Sequence, residues 1–331
     1  MKKIFITGSE GFIGSHLVEL LIKKGYYINA LVKYNSFNSR GWLDHIKYPN
    51  HKNLKIFYGD IEDQNTIEKP IKNSEVVIHL ASLISIPYSY LAPRSYINTN
   101  IIGTYNVMEI SKKYKIKKII HTSTSEVYGT ALYAPMNEDH PLQSQSPYSA
   151  SKISADAIAK SFFYSFELPV ITLRPFNTFG PRQSIRAVIP SIITQAINKK
   201  GIVEIGDTRP TRDFVFINDT IQGYLRCIEN KKDLFGETIN IGTGKEISIN
   251  DLVQKISKIL KIKIYLKKNS KRIRPKNSEV FRLKADNNKL YNILKWKPIT
   301  TNQSLNENLH TTIEWFKDEK NLKIYKSGFQ L

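Results

Sequence analysis

Short, nearly continuous apolar runs recur through the first half of the chain, at 3–7, 27–33, 54–58, 75–80, 117–123 and 169–174. Each is rich in β-branched residues and bounded by glycine, polar or charged clusters, the pattern of a strand buried on both faces. Helical patterns lie between most of them. The first such helix carries Ile13, Leu17, Leu20 and Leu21 on one stripe and stops at Gly25, a residue suited to the left-handed C-terminal cap. Strands alternating with helices predict an α/β fold, a doubly wound parallel sheet. After Arg174 the rhythm breaks at Pro175, Gly180, Pro181 and Pro190, and the segments become shorter and more mixed. The pattern therefore predicts a first domain over 1–176. A smaller mixed α/β lobe is expected over 177–331, with segments near 212–242 crossing back onto the first. Trp315 and Phe316 are expected to pack a last helix of the basic, amphipathic tail onto the body.

The turn after the first run reads Gly8, Ser9, Glu10, Gly11, Phe12, Ile13, Gly14. Strand, glycine turn and helix within about 25 residues is the opening of a Rossmann-like dinucleotide-binding unit. Glycines permit the tight turn and let backbone N–H groups approach a pyrophosphate at the helix N-terminus. Asp60 closes the third run, either as an acceptor for an adenine amino group or as the N-cap of a helix from Ile61.

Composition narrows the class. At 331 residues the chain exceeds what one core usually serves, so two lobes around one cleft are expected. The lone Cys227 cannot form an internal disulfide, which fits a reducing, cytoplasmic setting. Lys2 and Lys3 before Ile4, Phe5 and Ile6 imitate the start of a signal peptide, but Thr7 and Gly8 end the run; no secretory segment is expected. No run reaches the roughly 18 apolar residues of a membrane helix. The net charge of +20 raises nucleic acid as a partner. In the runs 112–118 and 261–276, however, lysines alternate with Ile, Tyr or Leu, as on the solvated faces of half-buried strands and helices, and no nucleic-acid module is present. The surplus charge instead favours an anionic small substrate.

The chemistry concentrates at 121–129, HTSTSEVYG, where a strand delivers polar groups to its C-terminal end. Some twenty residues later Tyr148 and Lys152 stand i,i+4 on one helix face, after a helix start at Ser146 and Pro147. A free tyrosine has a pKa of about 10, and a lysine one turn away favours its phenolate at neutral pH. Lys152 also has donors for a cofactor ribose. With a hydroxyl from Thr124 or Ser123 on the same substrate oxygen, the set suits oxidation of a sugar alcohol to a ketone by hydride transfer. Glu126 adds a second capacity: once C4 of a hexose is a ketone the C5 proton is acidic, and a carboxylate can remove it.

Together these stretches resemble the extended short-chain dehydrogenase/reductase family of nucleotide-sugar enzymes. The glycine turn, Asp60-Ile61, His79-Leu80-Ala81, the Asn100 to Thr104 segment, TSTSEVYG and YSASK carry the resemblance, with RPFNTFGPR at 174–182, TRDF at 211–214 and NIG at 240–242. It implies a catalytic group of Thr124, Ser125, Glu126, Tyr148 and Lys152. It implies a tightly held NAD or NADP, regenerated in each turnover, against Gly8, Gly11, Phe12, Ile13, Gly14, Asp60, Ile61, Leu80, Ala81, Asn100, Tyr148 and Lys152. Ser85, Thr124, Asn177, Arg182, Arg212 and Arg274 would hold the nucleotide-sugar, the last two arginines on its diphosphate. The resemblance calls for no metal.

Ser125 stands where dehydratases acting on dTDP-glucose carry Asp, so the proton for the departing C6 hydroxyl would come from Glu126. The Thr-Ser-Glu form is similar to GDP-mannose 4,6-dehydratases and to UDP-glucuronate decarboxylases, and Ser149, Ala150 and Ser151 favour the dehydratase. The segments 34–39, 41–45, 84–90, 184–189 and 274–280 most resemble the GDP-N-acetylglucosamine 4,6-dehydratases of legionaminic acid synthesis. The second strand ends at Lys33 without the acidic residue that usually grips the NAD ribose. Lys33, Ser36 and Asn38 could instead meet a 2′-phosphate, favouring NADP, whereas the pathway resemblance favours NAD. Helices over about 101–114 and 148–166 look like the family's dimer-forming pair, implying a homodimer or dimer of dimers. A 4-epimerase or C6 decarboxylase, and a non-enzymatic dinucleotide-sensing regulator, are the alternatives.

Overall fold

Each apolar run of the first half becomes a parallel strand within a residue or two of its expected ends. They are β1 Lys3–Thr7, β2 Tyr27–Lys33, β3 Leu54–Gly59, β4 Val76–His79, β5 Lys118–Thr122 and β6 Val170–Pro175. A seventh, β7 Thr238–Ile241, joins from far along the chain by pairing parallel with β6. The sheet order is β7-β6-β5-β4-β1-β2-β3, so the strand order reverses between β1 and β4, where such sheets open a crevice for ligands. The structure is a computed structural model that describes residues 2–230, 232–298 and 302–325, and parts of the tail read as amphipathic lie outside the described residues.

The period-two alternation of β1 shows why the sheet is covered on both sides. Ile4 and Ile6 face Leu17 and Leu21 of helix α1 Phe12–Lys23, while Phe5 faces Val77, Val107 and Phe162 on the other face. Burying each of these side chains stabilises the fold by about 1.5–3 kcal/mol. Helices α2 Gln64–Lys72, α3 Gly103–Lys113 and α4 Pro147–Phe166 follow β3, β4 and β5. The start of α4 is fixed by a capping box between Ser146 and Ser149, with Pro147 at the first helical position. Helix α5 Ile217–Glu229 packs against α1.

Beyond β6 a smaller lobe is built from the helices Val188–Asn198 and Ile249–Leu260 and a strand pair, Ile202–Ile205 with Tyr265–Lys268. Its Ile192, Leu252, Ile256 and Leu309 belong to the same apolar cluster as β1 and α1. The helix Asn302–Lys317 docks through fully buried Phe316 and through Trp315, whose ring meets Trp42 at 5.6 Å. It is not the last, since Glu319–Ile324 forms a further short helix.

The lysine runs follow expectation at Lys113, Lys115 and Lys117 around buried Ile116, and depart from it in two places. Tyr265–Lys268 is exposed on both faces, an edge strand studded with charge rather than a half-buried one. Lys118 points inward instead: its Nζ donates to the carbonyls of Cys227 at 2.9 Å and Asn230 at 3.0 Å, at the C-terminal end of α5, where a cation is favoured. No helix of the described residues is long and apolar enough to cross a membrane.

Candidate active site

One cavity of about 1160 Å³ runs from the glycine turn, past the C-terminal ends of β4 and β5, into the second lobe. Its floor at one end is bare backbone. Gly8 takes φ +64°, and a Cβ there would stand 2.8 Å from the Ala81 amide nitrogen; a Cβ on Gly14 would stand 2.1 Å from the Gly8 carbonyl oxygen. Only glycine permits this approach, and it leaves the N-terminus of α1 open to an anion. Thr7 holds the neighbouring turn in place, its Oγ1 accepting from the Leu80 and Ala81 amides at 3.1 Å each. This cradle fits the pyrophosphate of a dinucleotide.

At the end of β5 the chain turns into a 3₁₀ segment, Ser125–Tyr128, with Thr124 as its N-cap. The Thr124 oxygen accepts from the Glu126 amide at 3.2 Å, so its own proton is free to be donated outward. That hydroxyl and the Tyr148 phenol line the same cavity. Burial raises the Tyr148 pKa, the Thr124 hydroxyl works against that rise, and the nearby Glu126 carboxylate adds to it. Lys152, one turn along α4, is buried, and its Nζ donates to the Thr122 carbonyl at 2.7 Å. Burial lowers its pKa to about 8, opposed by the charge of Asp156. Two Nζ protons remain for a ribose. Thr124, Ser125, Glu126, Tyr148 and Lys152 thus line one wall of the cavity together. Of the two hydroxyls that the sequence leaves open, Thr124 faces the phenol, whereas Ser123 donates to Asp156 at 2.6 Å.

Asp156, a further turn along α4, fastens this wall from behind. It accepts from His121 Nε2 at 3.0 Å and from Arg174 Nη2 at 3.1 Å. Arg174 in turn donates to the Tyr128 hydroxyl at 3.0 Å, which donates to Asn240 on β7 at 2.7 Å. One buried network therefore ties α4 to β5, β6 and β7.

On the opposite wall Arg274 Nη1 lies 3.6 Å from Glu126 Oε2 and 3.8 Å from Glu279, while Arg212 Nη2 lies 3.6 Å from Glu279. Arg274 Nη1 and Asn177 Oδ1 are buried with no hydrogen-bond partner, groups that a polar substrate would satisfy. Ser85 also lines the cavity.

The remaining expected positions divide between the cavity wall and the structure that supports it. Asn100 has used its whole amide: Oδ1 accepts from Leu83 N and Ser82 Oγ, and Nδ2 donates to the Leu83 carbonyl and Ser151 Oγ. It does not line the cavity and holds the loop that does. Arg182 lines the cavity, with its guanidinium paired to Glu19 at 2.6 Å and Ser15 at 3.4 Å, joining the second lobe to α1. Ser36 is exposed and, like Asn38, off the cavity wall. Asp60 is not a helix N-cap, because α2 begins at Gln64 behind Asp63; it pairs with Lys33 at 3.1 Å. Phe12, Ile13 and Ile61 line the cavity, as do Leu80 and Ala81. Sequence reasoning gave no role to Arg186, Arg272 or Glu279, which stand on the wall of the second lobe; Arg186 and Glu279 fall inside the segments 184–189 and 274–280 that carry the resemblance, and Arg272 is two residues before Arg274.

Comparison with known proteins gives a consistent picture. Residues 5–309 match the family described as GDP-mannose 4,6 dehydratase. The chain is 34% identical over 277 residues to dTDP-D-glucose 4,6-dehydratase of Dictyostelium discoideum, covering 78% of this chain and 62% of that protein. It is 32% identical to UDP-N-acetyl-alpha-D-glucosaminuronate decarboxylase of Bacillus cytotoxicus over 97% of this chain and 99% of the relative. The structure of UDP-glucuronic acid 4-epimerase from Bacillus cereus, in complex with UDP-glucuronic acid and NAD, superposes with a TM-score of 0.87 at 28% identity. It covers 96% of this chain and 99% of that one.

Proposed function

The chain belongs to the GDP-mannose 4,6-dehydratase family of nucleotide-sugar enzymes, and from that premise we propose that it is a nucleotide-sugar 4,6-dehydratase. GDP-N-acetylglucosamine is the substrate we place first, on the resemblance of the segments 34–39, 41–45, 84–90, 184–189 and 274–280. The observation that carries the reading is Glu126, a buried carboxylate on the same wall as Tyr148 and Thr124. Oxidation at C4 does not need it; elimination across C5 and C6 does.

The residues divide the work as follows. Tyr148 takes the proton of the C4 hydroxyl while Thr124 holds that oxygen, and the charge on Lys152 favours the phenolate. A nicotinamide held by the glycine turn and Lys152 would supply the acceptor for the C4 hydride and the donor of that hydride to C6, and the proton taken up by Tyr148 balances the one that C5 regains, so no net redox change would occur. Glu126 removes the C5 proton made acidic by the ketone and delivers it to the departing C6 hydroxyl, which leaves as water. Ser125 is too weak an acid for that delivery, which leaves Glu126 to carry the proton both ways. Arg212, Arg274 and Asn177 receive the nucleotide-sugar, the two arginines on its diphosphate.

The proximity of Arg274 to Glu126 favours one second reading, in which a C6 carboxylate of a uronate takes that guanidinium and the reaction is decarboxylation or 4-epimerisation. Exposed Ile97, Ile102, Tyr105 and Phe166 support the family's helix-paired homodimer, and buried Cys227 suits a cytoplasmic enzyme. Incubation with GDP-N-acetylglucosamine, UDP-N-acetylglucosamine, GDP-mannose, dTDP-glucose and UDP-glucuronate, read by mass spectrometry, separates the readings. Loss of water marks the dehydratase, loss of carbon dioxide the decarboxylase, and an unchanged mass with altered stereochemistry the epimerase. Glu126→Gln is expected to oxidise substrate and stall with the cofactor reduced. No turnover of any of them would sink the enzyme reading.

A further inference from the structure

The second strand ends at Lys33 without an acidic residue, yet a carboxylate occupies its end. Glu10, from inside the glycine turn, reaches across so that its Oε1 accepts the Lys33 backbone N–H at 3.1 Å. The main chain on either side of Glu10 is held as well: Ser9 Oγ donates to the Leu31 carbonyl at 2.5 Å, and the Glu10 carbonyl accepts from the Trp42 N–H at 3.0 Å. The other carboxylate oxygen, Oε2, is buried with no hydrogen-bond donor. Glu10 lines the cavity beside Gly8, Gly11, Lys33 and Asp60. A buried carboxylate oxygen without a donor calls for one. At the C-terminal end of the second strand of such a fold, the group that arrives is the adenosine ribose of a dinucleotide.

The cations that could welcome a 2′-phosphate there are otherwise engaged. Lys33 Nζ pairs with Asp60 at 3.1 Å, and the Arg40 guanidinium is held by Asp44 at 2.7 Å and the Pro49 carbonyl at 3.1 Å. A second anion brought against Glu10 would be repelled, whereas a 2′-hydroxyl would donate to it. Burial raises the Glu10 carboxyl above its ordinary range, against the pull of the Glu10 and Lys33 amides and the Lys33 charge.

We propose that Glu10 supplies from the glycine turn the ribose-reading carboxylate that the second strand lacks, and that it selects NAD over NADP. The proposal rests on the reading of this cavity as a dinucleotide site and adds which dinucleotide it takes and through which residue.

Calorimetric titration of the full chain, freed of any retained cofactor, with NAD and then NADP tests it without reference to turnover. The wild type is expected to bind NAD at least roughly tenfold more tightly than NADP. Glu10→Gln should weaken NAD by roughly 10- to 100-fold, the range for losing a hydrogen bond to a charged group, and bring the two affinities close together. Glu10→Asp keeps the charge but withdraws it by one methylene; it should weaken NAD while still rejecting NADP, and it stands in should the Gln variant not fold. Tight NAD binding unchanged in folded Glu10→Gln, or a wild-type preference for NADP, overturns the assignment to Glu10 and leaves the dinucleotide site standing. Binding of neither dinucleotide overturns both.

Discussion

Asp156→Asn probes the buried network that holds the candidate catalytic helix on the sheet. Burial works to raise the Asp156 carboxyl, but the hydrogen bond from His121 and the charge of Arg174 override it and hold the group at about 2, below its ordinary 3.8. At about 1.4 kcal/mol per pH unit, this depression corresponds to roughly 2–3 kcal/mol in favour of the folded state. The amide variant loses that charge and also strands Arg174, itself only 6% exposed. Removing one partner of a buried pair costs about 3–5 kcal/mol, so the total loss is expected in that range, a fall in melting temperature of roughly 10 °C. A carboxyl of depressed pKa stabilises above its unfolded pKa of 3.8 and loses that contribution as pH falls toward about 2. The difference between wild type and variant should therefore stay flat from about pH 5 to about pH 6.5, below the range in which Lys152 changes charge. Thermal melts followed by circular dichroism across that range are the assay. A loss under about 1 kcal/mol, below even an ordinary single substitution, would refute the reasoning, as would a difference that fades between those pH values. Asp156 also supports the charged form of Lys152. In the variant, the pH above which dinucleotide affinity declines should move down from about 8.

Two further outcomes follow from the geometry. Tyr148→Phe removes the phenol facing Thr124 but leaves the glycine cradle and Lys152 intact. Turnover should fall by roughly 10²- to 10⁴-fold while dinucleotide affinity, measured by titration, stays nearly unchanged; a matching loss of affinity would argue against a role in proton transfer. Gly14→Ala places a methyl group 2.1 Å from the Gly8 carbonyl oxygen, so the turn must open at a cost of about 1–3 kcal/mol. Thermal shift assays should show a lower melting point and no added stability from NAD, and a normal NAD-dependent shift would contradict the cradle.

Much of this protein is written in local patterns. Continuous apolar runs of strand length require cover on both faces, and that alone predicts six of the seven strands of the parallel sheet within a residue or two; β7, from the second half of the chain, it does not. The glycine turn and the start of α4 are legible for the same reason, since caps, glycines and an i,i+4 pair act between neighbours in sequence. Thr124, Ser125, Glu126, Tyr148 and Lys152 could be nominated because a strand end and one helix face carry them. What sequence could not decide depends on partners far along the chain. Whether Ser123 or Thr124 meets the phenol turns on Asp156, more than thirty residues away, which takes the serine. Asn100 stands in a motif beside the cofactor loop, yet its four hydrogen bonds to the chain leave nothing for a ligand, and Arg182 is captured by Glu19 on α1. The missing acid of the second strand is met by Glu10, and Arg274 comes to rest beside Glu126. A hydrogen bond is satisfied by whichever group the fold brings within about 3 Å, and no periodicity in the chain records which group that will be.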